Sequence, residues 1–272
     1  MLDGLAPRRA LGAPRPRVVA AALLGGALAA WVTVGLRMRG MDAGPGSALG
    51  SMGWYLGIWV TMMAAMMLPS LTPMVLLHAR VARGSARRPG ASTAVFVAGY
   101  LILWTGYGIL AYGLDRLVRA ADLPFLAWDS GGPLVAGAAI ALAGVYQLTP
   151  LKRVCLRHCR SPFHVVLHGW REGMLGALRM GVRHGATCVG CCVGLMLVLF
   201  AVGVMSITWM ALVATIVFAE KVLPGGDRVS RALALVLVAL GLWVALAPGS
   251  VPGLTEPAPG MQMSGMPPAP PS

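Results

Sequence analysis

Three cysteines fall within five residues of the run His184-Gly-Ala-Thr-Cys188-Val-Gly-Cys191-Cys192-Val-Gly-Leu-Met196. On a helix, positions three and four apart share a face, so Cys188, Cys191 and Cys192 converge. His184, Cys188, Cys192 and Met196 recur at successive spacings of four and draw a slowly drifting stripe of donors along more than three turns. A lone cysteine in an apolar helix is a small hydrophobe that packs well. Three together are better explained by a shared ligand site, because thiolates are unfavourable in lipid unless a metal or another charge compensates them.

Two further groups of soft donors accompany this cluster. The run Trp59-Val-Thr-Met62-Met63-Ala-Ala-Met66-Met67-Leu-Pro69-Ser-Leu-Thr-Pro73-Met74 puts two methionine pairs four residues apart, which makes a thioether patch on one helix face. Methionine also fills gaps in cores, and beside a cysteine helix its second role as a neutral, soft ligand comes forward. Thioethers accept monovalent copper or silver, whereas calcium and magnesium demand oxygen. Pro69 and Pro73 remove backbone donors and should kink this helix, freeing carbonyls that are tolerated only against protein or a polar cavity. The third group is Cys155-Leu-Arg-His158-Cys159 in a basic segment. As a helix it would carry Cys155, His158 and Cys159 on one face, open to a soft ion or to zinc. The surrounding arginines should lower the thiol pKa values, so redox sensing is a second reading there. Ordinary reduced cysteines on the inner side are the third.

The elements that must position these donors follow from composition. A chain of 272 residues that is 57% hydrophobic and 11% charged has too little polar surface to cover its apolar bulk in water. Seven runs read as membrane-spanning helices: Val18 to Leu36, Met52 to His78, Ala94 to Leu114, Pro133 to Thr149, Leu178 to Val204, Ile207 to Val222 and Ala232 to Ala247. The fifth and sixth are separated by a tight turn placed near Gly203 to Ser206. With the amino terminus inside, the inner segments hold all but Arg37, Arg39, Arg116 and Arg119 of the 22 Lys and Arg residues, as the positive-inside rule requires. The fold expected is an all-α polytopic transmembrane helix bundle with a cytoplasmic amino terminus in the inner (plasma) membrane of a cell, with the lipid bilayer as its surroundings. Residues 1–17 form a basic lead segment, residues 18–247 the bundle, and residues 248–272 a Pro- and Met-rich disordered tail with Met261, Met263 and Met266. A removed signal peptide is the alternative reading of the first run. Gly181 with Gly185, and Gly190 with Gly194, have the small-xxx-small spacing that permits close helix packing.

The net charge of +13 would suggest nucleic acid in a soluble protein, but here the basic residues lie between apolar runs, and neither a stacking groove nor a phosphate loop accompanies them. No nucleic acid partner is expected. So few acidic residues suggest no triad or paired carboxylates, and no catalytic residue is assigned. Glu220 and Lys221 read as a mutually compensated pair at the inner interface, and His78, His164 and His168 as interfacial residues.

The run Met62-Met63-Ala-Ala-Met66-Met67-Leu-Pro69, Pro150-Leu-Lys with Cys155 and Cys159, Cys191-Cys192 with Leu195-Met196, and Glu220-Lys221 together resemble a bacterial family of predicted metal-binding integral membrane proteins. The resemblance covers roughly residues 50–225 and implies metal binding in a membrane and nothing further. The direction of the sulfur series, from thioether outside to thiolate inside, suits inward passage of Cu(I), with zinc as the alternative ion. Transport or delivery of the ion, to or from a soluble metallochaperone or a metalloprotein client, is the leading expectation. A thiol redox protein using Cys188, Cys191 and Cys192, and a copper-insertion factor that moves no ion across the membrane, are the alternatives.

Overall fold

The computed structural model describes residues 15–38, 49–121, 131–161, 170–202, 206–223 and 225–250. Residues 203–205 of the turn expected near Gly203 to Ser206, His164, His168, the tail methionines and most of the basic lead segment lie outside these residues. Within them the chain forms eight α-helices and one short 3-10 turn, Pro248–Ser250, with no strand. The helices are α1 Pro16–Arg37, α2 Met52–Ser85, α3 Pro89–Ala120, α4 Gly132–Gln147, α5 Pro150–Arg160, α6 Gly173–Val202, α7 Ile207–Val222 and α8 Gly226–Leu246.

Each of the seven apolar runs coincides with a helix over its described residues, give or take one or two end positions, and Pro150–Arg160 of the basic segment after the fourth run is a helix too. Five helices, α1, α2, α3, α6 and α8, are long and apolar enough to cross a membrane. A sixth is added if α4 and α5, bent by 64° at their junction, count as one broken span. The expected count of seven requires α4 and α7 each to cross in 16 residues. That is about 24 Å of helix, short of a hydrocarbon core of about 30 Å.

Sequence signals place the helix ends. Ser51 caps α2 by accepting from the Trp54 amide, and Ser206 caps α7 in the same way through Trp209. Thr149 caps α5 and Pro150 follows at its first position, which turns the chain out of α4 and restarts it at an angle. Helix α2 runs on through Pro69 and Pro73, and the hydroxyls of Ser70 and Thr72 donate to the carbonyls of Met67 and Leu68 between them.

The two sulfur-bearing helices are the central ones. In their most apolar stretches, 50% of α2 and 56% of α6 are buried, against 28% for α1, α3 and α8. The outer helices turn large apolar side chains outward, including Leu110, Leu235 and Leu246 at 73%, 72% and 80% exposure. An apolar belt of this kind is compatible with contact to lipid. Helix α6 packs on α3, α4, α5 and α7, while α2 packs on α1, α3 and α7.

Glycine sets how closely these helices approach. A Cβ at Gly181 would stand 2.1 Å from the carbonyl oxygen of Phe96, and one at Gly99 2.5 Å from that of Leu178, so α3 and α6 touch backbone to backbone. Gly137 and Gly241 make the same reciprocal contact between α4 and α8. The spacing seen in the sequence thus serves several partners of α6: Gly181 and Gly185 face α3, Gly190 faces Cys155 of α5, and Gly194 faces Ala143 and Tyr146 of α4.

Candidate metal centre

Cys188, Cys191 and Cys192 occupy one buried face of α6, and their sulfur atoms all lie within 4.8 Å of one another. Among the described residues this is the group of close donors that could hold a metal ion. The Cys191 and Cys192 sulfurs are 3.5 Å apart. Three sulfurs around a single ion, with metal–sulfur distances of about 2.3 Å, stand roughly 4 Å from one another, so the cluster has the right dimensions for a three-coordinate sulfur site. No carboxylate or imidazole belongs to the group, and a purely sulfur set favours a soft ion.

Neighbouring helices complete the surroundings. Helix α5 presents Lys152, Cys155, Leu156 and Cys159 to α6 at positions i, i+3, i+4 and i+7. Cys159 is the α5 sulfur that reaches the cluster, 3.6 Å from Cys191 Sγ and 3.8 Å from the Thr187 hydroxyl. Cys155 lies against Gly190, where a Cβ would come within 2.8 Å of its sulfur. Burial pushes the Cys155 thiol up from its ordinary value, a shift that Lys152 partly offsets. That reverses the expectation of arginine-activated thiolates: the α5 arginines around Cys155 are exposed, while the face carrying the thiol packs inward.

Cys188 is the most heavily partnered of the three. The Tyr100 hydroxyl of α3 is 2.9 Å from its sulfur, and the Lys221 ammonium of α7 donates to that same sulfur at 2.9 Å. Lys221 also points at the Met67 thioether of α2, 3.8 Å away. A single cation therefore joins the cysteine helix to the methionine helix.

The expected pairing of Glu220 with Lys221 is not what the structure contains. Glu220 instead receives Lys152 Nζ on one carboxylate oxygen at 2.7 Å and the Ser230 hydroxyl on the other at 2.8 Å. The reason is geometric, because successive residues of a helix point about 100° apart and here face different neighbours. Lys152 also donates to the Cys191 carbonyl at 2.5 Å, so the ion pair, whose side chains are only 1% and 2% exposed, is anchored to the cluster's own backbone. The Tyr146 hydroxyl similarly donates to the carbonyl of Gly190.

The other donors singled out in the sequence have the following surroundings. His184 is buried on α6, tilted against the rings of Phe96 and Tyr100, and is not one of the close donors. The His158 ring is engaged with the Val154 carbonyl on its own helix. Met62, Met63 and Met66 are buried in the core of α2, and Met196 in that of α6. His78, expected at an interface, is buried, stacked on Phe96 and tilted against Trp170.

Sequence reasoning missed Tyr100, Lys152 and Lys221 as neighbours of the cluster. Lys152 was detectable in principle, because it shares the face that carries Cys155, Leu156 and Cys159. Lys221, beside Glu220 at the end of a largely apolar helix, was a signal of the same kind, but nothing local ties Tyr100 to α6.

No curated protein and no solved structure matches the chain. One family does match, over residues 56–244, more than two thirds of the chain and every residue placed at the centre. That family carries the description copper chaperone, which agrees with a buried all-sulfur donor set, and the chain belongs to it, the PpoB2 copper chaperones.

Proposed function

We propose that this chain is a multi-pass protein of a cell's inner membrane that takes up Cu(I) on Cys188, Cys191 and Cys192 and delivers it to a soluble metallochaperone or a metalloprotein client. The observation that carries the reading is the buried triad of sulfurs within 4.8 Å in a member of a copper chaperone family. The monovalent state follows from the donors, since thiolate and thioether sulfur stabilise the soft ion over the divalent one. Three thiolates around one monovalent cation leave excess negative charge, and Lys221 beside Cys188 offsets part of it where water cannot. Met67, reached by the same ammonium, links the thiolates to the thioethers of α2, along which an ion would pass by ligand exchange.

The topology proposed has the amino terminus inside and seven crossings, supported by the distribution of basic residues. Delivery is favoured over net transport by the family's description. The test is the metal content of protein purified without added metal, followed by Cu(I) titration against a competing chelator. Changing Cys188, Cys191 and Cys192 together to Ser should abolish binding, while Cys155→Ser should leave it intact. Undiminished binding in the triple variant would sink the proposal, and zinc in place of copper would redirect it to structural metal binding. Sealed proteoliposomes separate delivery from transport, because a delivery protein binds the ion without accumulating it inside the vesicle.

A further inference from the structure

A cleft of about 300 Å³ opens where the end of α4, the start of α8 and the outer side of α5 meet. Arg153, Arg157 and Arg231 line it, together with Asp227, Gln147 and Ser230. Its interior holds polar atoms with nothing to bind. Gln147 is only 2% exposed, yet neither its amide nitrogen nor its amide oxygen has a hydrogen-bond partner among the described residues. Asp227 Oδ1 is likewise buried and unpartnered. Groups left in that condition are unfavourable unless a ligand or water satisfies them. Leu148, which also lines the cleft, is 49% exposed, and Leu151 and Val154, next to the lining arginines along α5, are 59% and 51% exposed. Arginines alternating with exposed aliphatic residues at a helix end are the pattern of a membrane interface.

We propose that this cleft holds the headgroup of a phospholipid that carries a hydrogen-bond donor beside its phosphate. The phosphate oxygens accept from the guanidinium groups, whose planar forks suit them, and from the Gln147 amide nitrogen. The Asp227 carboxylate and the Gln147 carbonyl then need donors, which the glycerol hydroxyls of a phosphatidylglycerol or the ammonium of a phosphatidylethanolamine supply. Three guanidinium groups against one carboxylate favour the anionic lipid of the two. A choline headgroup has no N–H or O–H and leaves both acceptors unsatisfied. Free phosphate lacks the acyl chains that would lie along Leu148, Leu151 and Val154. Ser230 connects the cleft to the metal centre, because its hydroxyl donates to Glu220, which holds Lys152 against the Cys191 carbonyl. The inference rests on the membrane reading and is independent of which metal is bound.

The test is native mass spectrometry of the full chain extracted from membranes in mild detergent, with dioleoyl phosphatidylglycerol, phosphatidylethanolamine or phosphatidylcholine added. One phosphatidylglycerol should be retained per chain, roughly tenfold more tightly than phosphatidylcholine, the ratio expected from one well-formed polar contact. Arg153→Gln combined with Arg157→Gln should erase the preference, as should Arg231→Gln alone, whose exposed position makes a folding defect an unsuitable explanation. Arg116→Gln, on α3 and outside the cleft, should preserve it. Equal retention of all three lipids, or an unchanged preference in the cleft variants, would overturn the proposal. Displacement by millimolar inorganic phosphate would assign the cleft to a soluble anion and overturn the lipid source. A chain recovered from the soluble fraction would overturn the membrane reading along with it.

Discussion

Lys152 and Lys221 reach the same cysteine cluster with different consequences. Lys152 neutralises Glu220 and supports the Cys191 carbonyl, so Lys152→Met would leave a buried carboxylate unpaired. Breaking one side of a buried pair costs about 3–5 kcal/mol, and the variant should lose that stability in thermal or denaturant unfolding. Replacing Glu220 by Gln at the same time should recover much of it. Lys221 touches sulfur rather than carboxylate, and Lys221→Met should weaken Cu(I) binding by about tenfold at little change in unfolding midpoint, as read by chelator competition. Equal losses of stability in the two variants would contradict this division of roles. At this scale the sequence was informative where spacing is local: Cys188, Cys191 and Cys192 converge because one helix carries them. It was silent where a contact joins distant elements. Tyr100 meets Cys188 across 88 positions and Lys152 meets Glu220 across 68. The adjacency of Glu220 and Lys221 in the chain was itself misleading, since neighbours along a helix diverge in direction.

The helices that hold these residues are spaced by glycine. Gly181→Ala would drive a methyl group into the Phe96 carbonyl and part α3 from α6, at an expected 1–3 kcal/mol. Because Tyr100 rides on α3, the same change should also weaken the Tyr100 contact with Cys188 and lower metal affinity. Gly106→Ala is the matched control on α3, where a Cβ meets nothing within 4 Å and helix propensity gains up to about 1 kcal/mol. Comparing unfolding midpoints of the two variants checks the argument. The apolar runs located every long helix, and α7 begins and ends at Ile207 and Val222 as its run does. They underestimated α2, which continues to Ser85, and α3, which extends from Pro89 to Ala120. Composition records where lipid contact stops, whereas backbone hydrogen bonding continues until a cap or a proline ends it.

For the molecule as a whole, what was legible was the all-helical bundle, because long apolar runs mark its helices; which of them are central is not written in hydropathy, since α1 and α8 are more apolar than α2 and α6 and yet less buried. The number of crossings was less legible, since a 16-residue helix satisfies an apolar pattern without spanning a bilayer at right angles. Reporter fusions after Ser85 and Ala120 should fall on opposite sides of the membrane, and so should fusions after Val202 and Val222. If the second pair reports the same side, α7 does not cross and the seven-span topology fails. The centre itself divides between two mechanically separate parts. Three sulfurs sit together on α6, while Cys159, 3.6 Å from Cys191 and outside that close triad, rides on the short α5 that leaves α4 at 64°. The number of donors within reach of an ion is therefore a function of one interhelical gap. A partner that presses α5 toward α6 would offer the ion a fourth sulfur, and one that parts them would withdraw it, so the grip on the cargo would change in a graded step at the moment of contact.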